Sequence, residues 1–376
     1  MSCLNNIRAF TLILSVCALT FGARENLQAQ GCVAVRGSSQ CALNHYDPLG
    51  MAGDSSLLGP GDWQVGLSYR WLHSDRHFRG EEEQDERQEN GTEVINDSHF
   101  IDVNILYGIT PQLSLGLTVP FVYSDRSSMY EHKGNGSGER YHTQAGGISD
   151  VRLMGYFWFW NPEKNPKGNL SLGVGPKFPT GDYEATDTFI TSTGAVTGPV
   201  DQSIQPGDGG WGFGVEITGF RELFPRGSGY VQGGYLFNPQ GDNGVSTGRG
   251  RPTTNPYSAK MSIPDQYFGR LGLSYNLVPK WGLSLSLGGR IEGVPVRDAI
   301  GDSEDFRRPG YSIYIEPSLT VAKSKWLFTL SGPVALFRNR ERSIPDLQRS
   351  KATGDRVHGD AAFADFVILT SLSRQF

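Results

Sequence analysis

From Trp63 onward the chain alternates apolar and polar residues with a period of two. In "WQVGLSYRWLH" the residues Trp63, Val65, Leu67, Tyr69 and Trp71 share one face, and Gln64, Gly66, Ser68 and Arg70 share the other. "QLSLGLTVPF" repeats the pattern with Leu113, Leu115, Leu117, Val119 and Phe121, and "WGLSLSLGGRIE" with Trp281, Leu283, Leu285, Leu287 and Ile291. Sustained alternation of this kind marks strands with one apolar and one polar face. Twelve such segments are predicted, near 63–73, 98–108, 112–123, 147–159, 169–178, 210–221, 229–237, 265–276, 281–292, 310–322, 326–337 and 362–376.

The connections separate a membrane barrel from a soluble sandwich. Those after odd-numbered segments run to roughly 17–31 residues, and those after even-numbered segments to about 3–9. A soluble β-sandwich has no reason to gather every long loop at one end. A transmembrane barrel does, with long extracellular loops, short periplasmic turns and both chain ends in the periplasm. The short links "GITPQ", "NPEKNPKG", "LVPKW" and "KSK" carry Gly, Pro and Asn, which supply the backbone angles of a reversal. The predicted fold is all-β: a transmembrane antiparallel up-and-down β-barrel of about 12 strands, apolar face to lipid and closed so that no backbone edge is left unpaired.

Aromatic residues at segment ends, namely Trp63, Tyr107, Phe121, Phe178, Trp211, Trp281, Tyr311 and Trp326, suit the headgroup levels of such a wall. The polar face then lines the lumen with Arg70, Asp102, Arg152, Lys177, Glu216, Arg270, Arg290, Glu292, Glu316 and Asp365. Five cations and five anions make no single-sign field of the type that selects strongly for one charge. Paired charges filling a narrow bore and a mildly polar pathway are both consistent with that balance.

The ends of the chain add to the picture. Arg8 followed by the apolar run Ala9 to Phe21 reads as a signal peptide, with 1–29 removed after Ala29. Residues 30–62 form a periplasmic N-terminal segment in which Cys32 and Cys41 pair as a small disulfide loop, in keeping with an exported protein. The barrel proper is 63–376. Its last run, "FVILTSLSRQF", puts Phe366, Ile368, Thr370, Leu372, Arg374 and Phe376 on one face, and the aromatic terminus Phe376 with Leu372 is read as the signal for the barrel-assembly machinery. Arg374 is the charged member of that face, placed where a charge costs roughly 0–1 kcal/mol.

Composition excludes more than it selects. A net charge of −5 without a basic patch argues against nucleic acid as a partner. Glycine at 49 of 376 residues has no collagen-like period and suits a turn-rich β protein. No metal site and no cofactor is predicted. Ser98 and His99 are adjacent in a strand and so point to opposite faces, a poor pair for lipid hydrolysis. The acidic run "GEEEQDERQENG", residues 80–91, and the glycine-rich "GDNGVSTGRGRP", residues 241–252, are read as solvated loops.

Three stretches together carry a resemblance: "YGITPQLSLGLTVPF" at Tyr107 to Phe121, "GGISDVRLMGYFWFW" at Gly146 to Trp160, and "SLGVGPKFPTGDY" at Ser171 to Tyr183. They resemble the second hairpin and the following strands of the "MetA-pathway of phenol degradation" family of outer-membrane proteins, departing where Trp158 and Trp160 replace a polar or basic strand end. The resemblance implies an outer-membrane channel for small hydrophobic or aromatic solutes, with outer-membrane lipids around it. The motif "KFPTGDY" has a local physical meaning as well: Pro179 lacks the N–H that would continue a ladder, Gly181 permits a positive φ and Asp182 bonds nearby amides, so it forms a rigid strand exit. Two other readings remain open at this point, a structural or adhesive barrel that works through its loops and a lipid-modifying enzyme.

Overall fold

The computed structural model describes residues 58–253 and 255–376. The signal peptide, nearly all of the N-terminal segment and the Cys32–Cys41 pairing lie outside the described residues. A single sheet of fourteen strand segments closes on itself as twelve staves, because two staves are each made of two pieces. In chain order these are β1 (Trp63–Ser74), β2 (Ile95–Gly108), β3 (Leu113–Ser128), β4 (Tyr141–Ile148 with Arg152–Trp158), β5 (Gly168–Lys177) and β6 (Gly212–Phe224). The second half comprises β7 (Gly227–Phe237), β8 (Gln266–Val278), β9 (Leu283–Val294), β10 (Gly310–Lys323), β11 (Trp326–Ser331 with Val334–Arg340) and β12 (Val367–Gln375). Every neighbouring pair is antiparallel, and β12 closes on β1 from Gln64↔Gln375 to Leu72↔Val367.

The wall is inverted relative to a soluble protein. Trp63, Val65, Leu67, Leu115, Leu271, Leu273, Leu287 and Leu372 point outward and are exposed, whereas Gln64, Ser68, Arg70, Asn104, Thr118, Ser274, Arg290 and Ser371 point inward and are buried. Water on that outer face would make it a large apolar patch, which monomeric soluble proteins avoid. Hydrocarbon removes the conflict, and the closed ladder satisfies the backbone there. Among the described residues no helix is long and apolar enough to cross a membrane.

Aromatic pairs sit at the two ends of the wall. Trp63 and Tyr107 meet at 4.7 Å between ring centroids, and Phe178 and Trp211 at 5.2 Å. Arg374 lies between two rings, 5.2 Å from that of Trp326 and 4.9 Å from that of Phe376, so its charge is held by cation–π contact at the turn end of the barrel. Phe121, expected near a strand end, lies within β3, which runs on to Ser128.

One stave departs from the expected single strand. Along β3, Thr118 pairs with Arg152 and Phe121 with Ile148, so four steps on β4 face three on β3. The extra residue is a bulge that switches which parity faces inward: Thr143 and Ala145 are buried before it, Arg152, Met154 and Tyr156 after it. Only the lower piece of β4 pairs with β5, which ends at Lys177. Above that level the 178–211 connection completes the wall. Asp150, in the bulge, accepts from the amides of Gly181 at 3.1 Å and Asp208 at 3.0 Å, and Thr180 Oγ1 accepts from Val151 N at 2.9 Å. Gly175 is required beside the bulge, since a Cβ there would lie 1.9 Å from the Leu153 carbonyl oxygen.

The long connections are folded. A hairpin (Thr186–Thr191 with Gly194–Pro199), a three-stranded patch (Arg76–Arg79, Glu82–Glu83 and Ala361–Phe363) and a capped helix (Ile344–Thr353) cover the loop end. The run expected as one strand from 362 to 376 is therefore interrupted: Ala361–Phe363 pairs with Arg76–Phe78, and β12 begins at Val367.

Candidate functional site

Two layers of charge occupy the barrel interior. The lower one is a chain of ion pairs across the bore: Arg70 to Glu292 at 2.8 Å, Arg290 to Glu292 at 3.1 Å and to Glu316 at 3.5 Å, and Arg270 to Glu316 at 3.2 Å. Ser331 Oγ also donates to Glu316 at 2.7 Å. On the opposite wall Arg152 meets Glu216 at 3.7 Å, Tyr156 donates to Glu216 at 3.3 Å, and Asp102 faces both Arg152 and Arg70. Strand alternation places each of these groups, and closure of the sheet brings distant strands together. The ring is neutral: Arg70, Arg152, Arg270 and Arg290 stand against Asp102, Glu216, Glu292 and Glu316. Buried charges of both signs satisfy one another here, since each alone would cost several kcal/mol.

Two sequence-predicted lumen residues stand apart from the ring. Lys177 ends β5 and pairs with Asp208 of the 178–211 connection, with Asp150 3.9 Å away. Asp365 precedes β12, at the loop end, where it accepts from Arg76 at 2.8 Å and from Arg338.

Above the ring, residues 200–208 fold into the bore. Val200, Asp201, Ile204 and Gln205 are buried. Gln202, Ser203 and Gln205 face Leu72, Ser98 and Phe100 of β1 and β2 and Gln266 and Val294 of β8 and β9 across a space of about 60 Å³. This segment constricts the path between the ring and the loop side.

Over it opens a vestibule of about 700 Å³, formed mainly by loop residues. Seven arginines line it: Arg87, Arg126, Arg249, Arg251, Arg307, Arg308 and Arg340. Arg308 grips Asp201 through two bonds of 2.8 Å, and Arg249 bonds Asp201 at 3.1 Å and Glu131 at 2.7 Å. Arg126, rooted on β3, bonds Glu131 at 2.8 Å and Asn96 at 2.8 Å. Arg251 donates to the Glu131 backbone carbonyl at 2.8 Å. Burial acts to raise the Glu131 carboxyl, but Arg126 and Arg249 outweigh it and hold the group at about 2. Asp201 is likewise driven up by burial and pulled well below its ordinary value by Arg126 and Arg308. Both are therefore ionised across the physiological range.

Sequence reasoning missed this vestibule. Its arginines come from three separate connections and two strand ends, and the main local trace is "GRGRP" in a segment read as a solvated loop. In the acidic run, Glu83 pairs with Arg76, and no cluster of His, Cys, Asp or Glu suited to a metal occurs among the described residues.

The outer wall carries a polar band near the loop end. Asp97 bonds Trp71 Nε1 at 2.9 Å and the His73 ring at 3.0 Å, Tyr69 bonds the His99 ring at 2.8 Å, and Asp125 bonds the His142 ring at 2.7 Å. Ser98 points inward to Ser124 at 2.9 Å, away from His99.

No family model matches the chain, and no curated protein does. Among solved structures, the fold is similar to that of an outer membrane channel from Pseudomonas putida F1, at 15% identity and a TM-score of 0.55, covering 86% of this chain and 98% of that one. Looser likenesses include the β domain of the Bordetella autotransporter BrkA, at 11% identity and TM-score 0.43 over 84% of this chain and all of that one. A monoaromatic hydrocarbon channel, CymD, matches at 11% identity and TM-score 0.39 over 93% of this chain and 98% of that one. The first likeness shows the fold, an outer-membrane β-barrel; the other two are too loose to bear on function.

Proposed function

We propose that the chain is an outer-membrane channel through which small, hydrophobic or aromatic molecules pass passively. The observation that carries the reading is a vestibule of about 700 Å³ on the loop side, stacked above a neutral ring of paired charges inside a closed barrel. The volume lies within the usual range for small-ligand sites. The fold shared with the P. putida outer membrane channel and the resemblance to the phenol-degradation family support the same reading. An adhesive barrel would present its long loops outward, whereas here they fold over the bore and bury Ile204, Ile263 and Phe363.

The bulged stave favours a second exit. The upper piece of β4 has no partner stave on the β5 side, and the wall there is closed by the 178–211 connection through Asp150 and Thr180. An apolar solute leaving the vestibule meets either the lumen or this seam. The test is swelling of proteoliposomes in a panel of aromatic acids, aromatic alcohols and sugars. Aromatic solutes should enter faster than sugars of similar mass, and rates equal to those of protein-free vesicles for every solute would refute the channel.

A further inference from the structure

The vestibule holds more positive than negative charge, and the surplus converges on one point. Its seven arginines face Glu131, Asp201, Asp298, Asp346 and Asp360, which leaves two charges unbalanced. The lumen ring below is neutral, so any preference for charge is set here. Arg251 has a backbone carbonyl as its hydrogen-bond acceptor and no carboxylate partner among the described residues. The Nε of Arg249 is buried and makes no hydrogen bond.

The site is rigidly built. Arg249 itself adopts φ 53, in the left-handed region that non-glycine residues rarely enter. Its turn is pressed against the hairpin of the 178–211 connection: a Cβ at Gly198 would lie 2.2 Å from the Arg249 carbonyl carbon, and one at Gly250 2.4 Å from the Thr197 carbonyl oxygen. Non-glycine residues in this region persist where the surroundings over-determine them, commonly at ligand clamps. Aromatic faces lie beside the guanidinium groups. Arg249 stands 5.7 Å from the Tyr130 ring centroid and Arg308 4.6 Å from that of Phe306. Both rings line the cavity, with Met261, Pro252 and Ala362.

We propose that the cluster of Arg126, Arg249, Arg251 and Arg308 is a binding site for the carboxylate of a small aromatic acid, and that Asp201 is the internal carboxylate which holds that place when no solute is bound. The inference rests on the channel reading and names its preferred solute class. Planar, forked guanidinium groups recognise carboxylates bidentately, as Arg308 does Asp201. A cation is repelled by the surplus charge, and a neutral aromatic molecule can stack on a guanidinium face but brings no anion for the forks to grip. Tyr130 and Phe306 supply the surface on which an aromatic ring lies. The solute's carboxylate takes the Arg308 fork in place of Asp201, which swings away, and the incoming anion lowers the surplus of the vestibule from two charges to one. Because Asp201 heads the 200–208 segment that constricts the bore, its release loosens that segment, and binding of the solute is coupled to opening of its path.

The experiment is single-channel recording of the purified full chain in planar bilayers, with benzoate, benzyl alcohol or inorganic phosphate added on the loop side. Benzoate should raise the open-channel current at millimolar concentration, benzyl alcohol should not, and phosphate should need at least tenfold more. Arg251→Gln should raise the half-effective benzoate concentration about tenfold, and Asp201→Asn, which removes the internal competitor, should lower it, both in protein with wild-type heat-modifiable migration. Equal effects of benzoate and benzyl alcohol, equal potency of phosphate, or half-effective concentrations unchanged in both variants would overturn the proposal. If ionic current and aromatic flux persist in those cases, the channel reading stands and only the carboxylate site falls. Absence of current and flux in every solute removes both.

Discussion

Leu271 tests whether the outer wall faces hydrocarbon. It lies near the middle of β8, is 67% exposed, and is flanked across the sheet by Val231 and Gly289, neither of which offers a partner for a charge. Arginine at the midplane of a barrel's lipid face costs about 2–4 kcal/mol, against about 0–1 kcal/mol near an interface. The native Arg374 illustrates the cheap case, at the turn end and between two aromatic rings. Leu271→Arg should therefore shift the folding equilibrium by a factor of roughly 30 to 1,000 at about 1.4 kcal/mol per tenfold. The control is Ile300→Arg, a position 56% exposed in the 295–309 connection, where a surface change is worth about 0.5 kcal/mol or less. The assay is urea-dependent folding into thin-bilayer vesicles, read as heat-modifiable migration. Equal midpoints for the two variants would refute the lipid-facing assignment, because a water-exposed wall would tolerate both changes alike.

Two further outcomes follow from the loops and the terminus. Glu131 is held at about 2, against an ordinary value of 4.5, so its ionised form contributes about 3 kcal/mol to loop docking above pH 4.5, and this contribution is lost as pH falls from there toward 2. Hydrogen exchange at residues 128–134 and 199–205 should accordingly show constant protection from pH 7 to about 5 and a decline only below 4.5, with Glu131→Gln already deprotected at pH 7; a decline between pH 7 and 5 would contradict the assignment. At the turn end, Phe376 is exposed and its amide donates to the Trp63 carbonyl at 2.7 Å, so Phe376→Ala keeps the closing ladder and removes the ring with its contact to Arg374. Assembly in cells should drop severalfold while refolding of the purified chain into vesicles stays near normal, and an unchanged cellular yield would count against a role in assembly.

The wall was legible in the sequence because its physics is local. Alternation at a period of two fixes which residues of β1, β3 and β9 face lipid, and loop lengths fix the up-and-down order, so the pattern alone puts Arg70, Arg290 and Glu292 on the inner face. The upper piece of β4 was not legible. In Tyr141–Ile148 the outward residues His142, Gln144 and Gly146 are not apolar, because that piece faces the 178–211 connection: the Gln144 amide donates to Asp187 at 2.7 Å. The break before β12 was not legible for a related reason, since Ala361–Phe363 continues the apolar pattern of β12 yet pairs with Arg76–Phe78. The vestibule was invisible because its chemistry is a sum over loops. Arg126, Glu131, Asp201, Arg249 and Arg308 are unremarkable singly, and only the folded connections bring them within hydrogen-bond reach.

On the proposed function, solutes traverse the lumen past the 200–208 segment. Replacing Gln202, Ser203, Ile204 and Gln205 with a Gly-Gly link shortens that segment and removes the Ser203 and Gln205 bonds that hold it, while leaving the wall strands untouched. Single-channel conductance of this variant in planar bilayers is the most direct measurement. Conductance should rise clearly above that of the wild type at equal salt. A conductance equal to that of the wild type would contradict passage through the lumen.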